Sequence, residues 1–155
     1  MDGVEFTFQT PFYFVPGLDH FGIYSNLALG NSTIKEFSPA NNPLPQVGYA
    51  RTTAEIDLWY SNHGFESRLG YKYHSPFTVA PTWVGTTLKQ LAAEQTLGAS
   101  VSYQFNKHWS VRLQGNNLTN ERARFSSDNN PQHLSNDGGY QVYGRSVLLD
   151  FSFQY

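Results

Sequence analysis

The sequence predicts an all-β protein, built as an antiparallel meander of about seven long strands that forms an open segment of a transmembrane β-barrel. Three observations predict this class. Apolar and polar residues alternate with a period of two through most of the chain, and short turns follow long polar connections in strict order. Charged residues make up only 14% of the 155 residues while aromatic residues make up 16%, whereas an average soluble domain has about 25% charged residues.

The alternation is clearest in the second half of the chain. Residues 97 to 105 carry an apolar side chain at every odd position and a small or polar one at every even position. Residues 109 to 116 repeat the pattern after a turn at residues 106 to 108. Because side chains alternate between the two faces of a strand, each segment is predicted to be a strand with one apolar face, and the two form a hairpin.

The same pattern predicts five further strands, and their connections differ in length. These strands cover residues 4 to 12, 21 to 29, 53 to 60, 65 to 73 and 147 to 155. Short turns are predicted at 15 to 18, 61 to 64 and 106 to 108, and long polar connections at 31 to 46, 75 to 95 and 118 to 140. Long connections are uncommon in compact soluble domains but expected on one side of an outer-membrane barrel. The spacing of Leu88, Leu91 and Ala92 predicts a short helix over residues 86 to 95.

Charges within the predicted strands fall almost entirely on the polar positions. The charged residues on these positions are Glu5, Glu55, Asp57, Glu66, Arg68, Lys72, Arg112 and Asp150. Arg145 shares its parity with the apolar Val147, but it lies at the loop end of its strand, where a long basic side chain can snorkel. Since a Lys or Arg facing lipid near the bilayer midplane costs about 2 to 4 kcal/mol, a charge-free apolar face suits a membrane.

A soluble β-sandwich or a lipocalin-like barrel also predicts alternation, with its apolar face turned inward. Three features favour the membrane: strands long enough for a tilted crossing, the ordered long and short connections, and aromatic residues at strand ends, as in interfacial girdles. These aromatic residues are Tyr60, Tyr73, Trp109, Tyr143 and Tyr155.

Composition excludes several other classes. The net charge of −2 and the lack of a Lys/Arg run argue against nucleic acid as a partner. The chain has no cysteine, so disulfides and thiolate chemistry are excluded, and no run approaches the roughly 20 apolar residues of a membrane helix. Met1 leads directly into strand-like sequence, so we expect either that a leader has been removed or that the chain is a piece of a longer protein.

Several motifs resemble the C-terminal barrel portion of TonB-dependent outer-membrane receptors. The closing motifs are Asn116-Asn117-Leu118-Thr119-Asn120-Glu121, then Tyr143-Gly144-Arg145 and a terminal alternating strand that ends on Tyr155. The upstream motifs are Gly3-Val4-Glu5, Phe14-Val15-Pro16-Gly17, Pro45, Gly64-Phe65-Glu66-Ser67-Arg68 and Tyr71-Lys72-Tyr73-His74-Ser75-Pro76-Phe77. The similarity spans essentially the whole chain, and its closing motifs are fairly specific in combination.

This resemblance implies a 22-stranded barrel in the bacterial outer membrane, filled by a plug domain, that imports siderophores, vitamins, haem or oligosaccharides with energy relayed by TonB. The chain shows no plug, no TonB box and none of the earlier strands, so we expect it to supply barrel wall, extracellular loops and the final strand. The expected partners are outer-membrane lipid, the assembly machinery and the rest of the receptor, with TonB acting only through the plug. A small autonomous barrel, adhesive or structural, and a soluble ligand-binding β-domain remain alternatives.

No motif predicts an enzyme, a cofactor or a metal site. The five histidines match no ligand spacing, and pairs such as Glu55 with Asp57 share a strand face by geometry alone. The candidate ligand-binding residues are aromatic and polar groups of the long connections, which suit sugars or catecholate-type ligands. They are Phe37, Trp83, Arg124, Phe125 and His133.

The last strand is a candidate assembly signal. Its outward apolar alternation is formed by Val147, Leu149, Phe151, Phe153 and Tyr155. The resemblance implies that the outer-membrane assembly machinery captures this strand, and strand addition at an exposed sheet edge gives the physical rationale.

Overall fold

A computed structural model describes residues 2–34, 44–81, 88–126 and 139–155. All regular secondary structure in these ranges is β-strand, numbered β1 to β13 along the chain. The long strands are β1 Asp2–Pro11, β2 Phe21–Asn31, β5 Thr52–Asn62, β6 Phe65–His74, β9 Glu94–Gln104, β10 Trp109–Asn116 and β13 Ser146–Phe153. The short strands are β3 Thr33–Ile34, β4 Leu44–Pro45, β7 Phe77–Pro81, β8 Leu88–Leu91, β11 Ala123–Ser126 and β12 Tyr140–Gln141.

The seven long strands form one antiparallel sheet in the order β1-β2-β5-β6-β9-β10-β13, so each pairs with the next long strand along the chain. This confirms the predicted all-β class and the seven-stranded meander. Successive strands run in opposite directions, so the connections alternate between the two ends of the sheet. The short connections at 12–20, 63–64 and 105–108 lie at one end, and the long ones at 32–51, 75–93 and 117–145 lie at the other.

The tightest turn joins β5 to β6 through His63 and Gly64. Both residues have positive φ, 48° and 79°, which is the signature of a type I′ hairpin turn. Gly64 is the residue that tolerates this conformation without strain, and a Cβ atom there would lie 2.9 Å from the Gln104 carbonyl oxygen. The local sequence therefore fixes the register of this hairpin.

The long connections contain strands of their own. β3 pairs with β4, and β12, β11, β8 and β7 form a four-stranded sheet that joins the second long connection to the third. The first and second connections also meet, because the Gly48 N–H donates to the Thr78 carbonyl oxygen at 2.7 Å. The long-connection end is thus tied together by backbone hydrogen bonds.

The helix predicted over residues 86 to 95 is wrong for the part that the structure describes. Residues 88 to 91 form β8, and β9 begins at Glu94. β8 is paired on both edges, with Leu91 opposite Phe77 of β7 and opposite Phe125 of β11. A helix this short is marginal in water, so pairing with two strands outweighs the helical spacing.

The register places the apolar residues of all seven strands on a single face, because directly opposite residues in an antiparallel pair share a face. Leu58 of β5 lies opposite Ile23 of β2 and Leu69 of β6, and Leu69 in turn lies opposite Ala99 of β9. Across the described strands of this sheet, Asp2 is the sole charged residue on the apolar face, and it begins β1 at the end of the sheet.

The apolar face has no packed layer over it in the described residues. Ala123, in the sheet formed by the long connections, is the one buried hydrophobic residue there. Leu58 and Leu69, in the middle of the sheet, are 45% and 44% exposed. Within the described ranges, no helix has the length and apolar character needed to cross a membrane.

Candidate functional site: the polar face and the ends of the sheet

The opposite face of the seven-stranded sheet carries the strand charges. These residues are Glu5, Glu55, Asp57, Glu66, Arg68, Lys72, Glu94, Arg112 and Asp150. The register therefore confirms that the charges assigned to polar positions from the sequence share one surface, which we call the polar face. Arg145, the exception in parity, precedes β13, and its Nε donates to the Leu118 carbonyl oxygen at 2.9 Å.

Part of the polar face is internally hydrogen-bonded. Asn26 Nδ2 donates to Glu5 Oε1 at 2.7 Å and to Thr7 Oγ1 at 2.9 Å across β1 and β2. Lys72 Nζ and Glu55 Oε1 form an ion pair at 2.9 Å across β5 and β6. Because both of its side chains are substantially exposed, this pair contributes at most about 1 kcal/mol.

A second group of polar residues surrounds Trp59, and within the described residues their side chains make no hydrogen bond. Gln9, Tyr24, Asp57, Trp59, Glu66 and Arg68 line an open depression of about 530 Å³ toward the short-turn end. The register explains the grouping, since Trp59 lies opposite Gly22 and Arg68, while Asp57 lies opposite Tyr24. The Trp59 indole occupies the space that a Cβ atom on Gly22 would fill, so it lies over β2.

Aromatic rings line the short-turn end of the apolar face. The Phe21 and Tyr60 ring centroids are 4.7 Å apart, and those of Trp109 and Phe153 are 4.6 Å apart. Phe65 extends the first pair, with its centroid 5.9 Å from that of Tyr60. We call these rings, together with Tyr103, the aromatic belt. Of the residues predicted at strand ends, Tyr60, Tyr73 and Trp109 lie within the terminal residues of their strands, whereas Tyr143 and Tyr155 lie outside the strands.

The predicted ligand-binding residues are described only in part. Phe37, Trp83 and His133 lie outside the described residues. Arg124 and Phe125 are neighbours in β11, so their side chains point to opposite sides of the strand. Arg124 is exposed and Phe125 is half-buried. The structure therefore does not bring these two side chains together on one surface.

The predicted assembly strand is β13, which forms one edge of the sheet. Its apolar-parity residues Val147, Leu149, Phe151 and Phe153 are all more than half exposed. Tyr155 follows the strand and is fully exposed, while Gln154 before it is held by a bond from its N–H to the His108 carbonyl oxygen at 2.8 Å.

The closing motif forms a clamp around Asn117. Its Nδ2 donates to the carbonyl oxygens of Glu121 and Gly144, both at 3.0 Å, and its Oδ1 accepts from the Glu121 N–H at 2.7 Å. Asn117 and Asn120 have φ values of 51° and 57°, a left-handed conformation that asparagine tolerates better than most residues. The closing motif thus ties the start of the third long connection to its end.

No group of three or more His, Asp or Glu side chains converges in the described part of the chain in a way that would hold a metal ion. His74 lies 3.9 Å from Glu94, and His108 Nδ1 lies 2.8 Å from the Gln154 carbonyl oxygen. These two histidines therefore have contacts that belong to the sheet and its turns.

Sequence reasoning did not single out Tyr24 and Trp59 as site residues. They are the only Phe, Tyr or Trp side chains on the polar face of the described strands. For Trp59 the signal was available, since it shares its parity with Glu55 and Asp57. For Tyr24 the signal needed the register, which sets it opposite Asp57.

Comparison of the chain with models of protein families, with curated proteins and with solved structures finds no match.

Proposed function

We propose that this chain forms part of the wall of an outer-membrane β-barrel that imports ligands in the manner of TonB-dependent receptors. The observation that carries the proposal is the apolar face, which is free of charge through its middle and uncovered in the described residues. In a soluble sandwich or lipocalin-like barrel these side chains would pack into a core. In a membrane, lipid covers them, and each fully covered Leu or Phe side chain contributes about 1.5 to 3 kcal/mol.

The aromatic belt and the ordered connections also support a membrane location, and they indicate which end of the sheet faces the periplasm. Aromatic rings concentrate at the membrane–water interface, and outer-membrane barrels have short turns on the periplasmic side and long loops outside. Here the belt of Phe21, Tyr60, Phe65, Tyr103, Trp109 and Phe153 lies at the short-turn end. We therefore assign the short-turn end to the periplasm and the joined long connections to the cell exterior.

The open edges support a larger barrel. β1 and β13 both begin at the long-connection end and run parallel, so closing the seven-stranded sheet on itself would pair two parallel strands. An antiparallel barrel requires an odd number of further strands between them. A second copy paired antiparallel at both edges would place long connections on both sides of the membrane. The remaining strands are better supplied by the rest of a receptor.

The assignment as an importer rests on the closing motif around Asn117 and on the sheet having one apolar and one polar face. In a receptor of this class the polar face lines the lumen, and a plug couples the barrel to TonB. We expect this chain to contribute wall, outer connections and the final strand, which the assembly machinery would recognise, and to make no contact with TonB itself.

Lipid contact can be tested on neighbouring residues of β5. The chain has no cysteine, so Leu58→Cys and Asp57→Cys each give a single labelling site, on opposite faces. A fluorophore at position 58 should be quenched by nitroxide-bearing lipid in the bilayer, and one at position 57 should not. Equal quenching at the two positions, or none at either, contradicts a lipid-facing apolar surface.

Import can be tested separately in the host cell. Deleting the gene should abolish growth on one limiting nutrient among iron chelates, haem, cobalamin and oligosaccharides, and uptake of that nutrient should require the inner-membrane proton gradient. Unchanged growth on all four, with the protein still in the outer membrane, would reject import and favour a structural or adhesive barrel.

A further inference from the structure

The surroundings of Trp59 differ from the rest of the polar face. Tyr24 and Trp59 lie at diagonal positions of the neighbouring strands β2 and β5, two aromatic residues on a face that otherwise carries charged, polar or small residues and a few aliphatic ones. Both are half-buried, so each keeps part of its ring surface open. Two aromatic side chains exposed on a charged face suit a ligand that has an apolar surface and polar edges.

The polar groups around this pair have unused hydrogen-bonding capacity. Within the described residues, the side chains of Gln9, Asp57, Glu66 and Arg68 make no hydrogen bond and no ion pair shorter than 4 Å. The Trp59 indole N–H is likewise unpaired there. By contrast, on the same face Asn26 donates a hydrogen bond to Glu5, and Lys72 forms an ion pair with Glu55. Free donors and acceptors therefore lie beside the two aromatic residues.

The glycine at position 22 lets the Trp59 indole lie flat enough on the sheet to offer a surface for stacking. Because Gly22 has no Cβ atom, the Trp59 ring can lie over β2 in the space that a side chain would take. Arg68, opposite Trp59 on β6, borders the other side of the depression. The result is a shallow site with an aromatic floor and planar amide, carboxylate and guanidinium groups at its rim.

We propose that this site binds a neutral saccharide, with a pyranose ring stacked on Trp59. The C–H face of a pyranose is apolar, while its equatorial hydroxyls point outward to the rim, where Asp57 and Glu66 accept and Gln9 and Arg68 donate hydrogen bonds. Two carboxylates beside one guanidinium give the rim a negative balance, which disfavours carboxylate- or phosphate-bearing ligands. A role for this site in import rests on the proposed function, but saccharide binding at the site does not.

Binding can be measured by calorimetry on the whole chain in detergent micelles, with maltotetraose, cellotetraose and tetra-N-acetylchitotetraose as probes. At least one should bind at millimolar concentration or tighter. Trp59→Leu should weaken that binding by about tenfold or more, the loss expected when an aromatic platform is removed. Trp109→Leu is the matched control on the apolar face and should leave the affinity unchanged.

Trp59→Phe keeps a ring over Gly22, and Gln9→Ala alters only the rim, so both test the site even if Trp59→Leu fails to fold. Each should weaken binding while preserving the fold. Absence of binding by all three saccharides, or an equal loss in the Trp59 and Trp109 variants, overturns the proposal. Saccharide binding without lipid quenching at position 58 would support the binding site and contradict the membrane barrel. Failure of the site and failure of the proposed function are therefore distinguishable.

Discussion

In the proposed outer-membrane barrel, replacing Val101 with arginine will strongly reduce folding and insertion of the protein into the membrane. Val101 lies on the apolar face of β9, between Ser67 of β6 and Leu113 of β10, and is 42% exposed. In the proposed barrel its side chain contacts lipid between the middle of β9 and the aromatic belt, and an arginine facing lipid costs about 2 to 4 kcal/mol at the midplane and less toward the interface. A cost of about 2 kcal/mol lowers the equilibrium constant for folding and insertion by about 30-fold, since about 1.4 kcal/mol corresponds to a tenfold change.

The matched control is Ser102→Arg, one residue further along β9 and on the polar face. Ser102 lies between Glu66 and Arg112, so a new cation there meets one favourable and one unfavourable neighbour. Its insertion should stay within about twofold of the parent protein, because in the proposed barrel the polar face contacts no lipid. The measurement is the yield of each variant folded into bilayers, titrated with urea. Similar losses for Val101→Arg and Ser102→Arg would contradict a lipid-facing apolar surface.

The seven long strands were predictable because local features determine them. The period-two alternation, as at Val101 and Ser102, assigns each residue to a face, and the His63-Gly64 pair supplies a turn that sets a register. Boundaries moved by a few residues where pairing continued beyond the alternating segment. β9, for example, begins at Glu94 rather than at Leu97, because Glu94 pairs with His74 of β6.

The strands of the long connections were not predictable in the same way. β8 and β11 pair through Leu91 and Phe125, residues far apart in the chain, and neither segment is long enough to show a clear period. Only the folded meander brings them to the same end of the sheet. For this reason local spacing around Leu88 predicted a helix where the chain forms a strand.

The candidate site depended on register in a similar way. Parity placed Trp59 among the charges of β5, but its neighbours Gly22, Tyr24 and Arg68 come from two other strands. Their grouping follows from pairing and not from any motif. The residues predicted as ligand-binding groups of the long connections, such as Arg124 and Phe125, lie in the separate sheet that those connections form.

Replacing Asn117 with alanine will loosen the third long connection and destabilise the fold by about 2 to 4 kcal/mol. The substitution removes three side-chain hydrogen bonds to backbone groups of Glu121 and Gly144, each contributing about 1 kcal/mol. Alanine at a φ of 51° adds about 1 kcal/mol of backbone strain. The loss should appear as a lower urea midpoint and as faster proteolysis between residues 117 and 145.

Asn120→Ala provides the control, because Asn120 also has a positive φ, 57°, but its side chain makes no hydrogen bond within the described residues. It should cost about 1 kcal/mol, the backbone contribution alone. The difference between the two variants then isolates the clamp formed by the Asn117 amide. If Asn117→Ala and Asn120→Ala lower the midpoint equally, the amide contributes nothing beyond its backbone conformation, and the closing motif does not hold the connection in place.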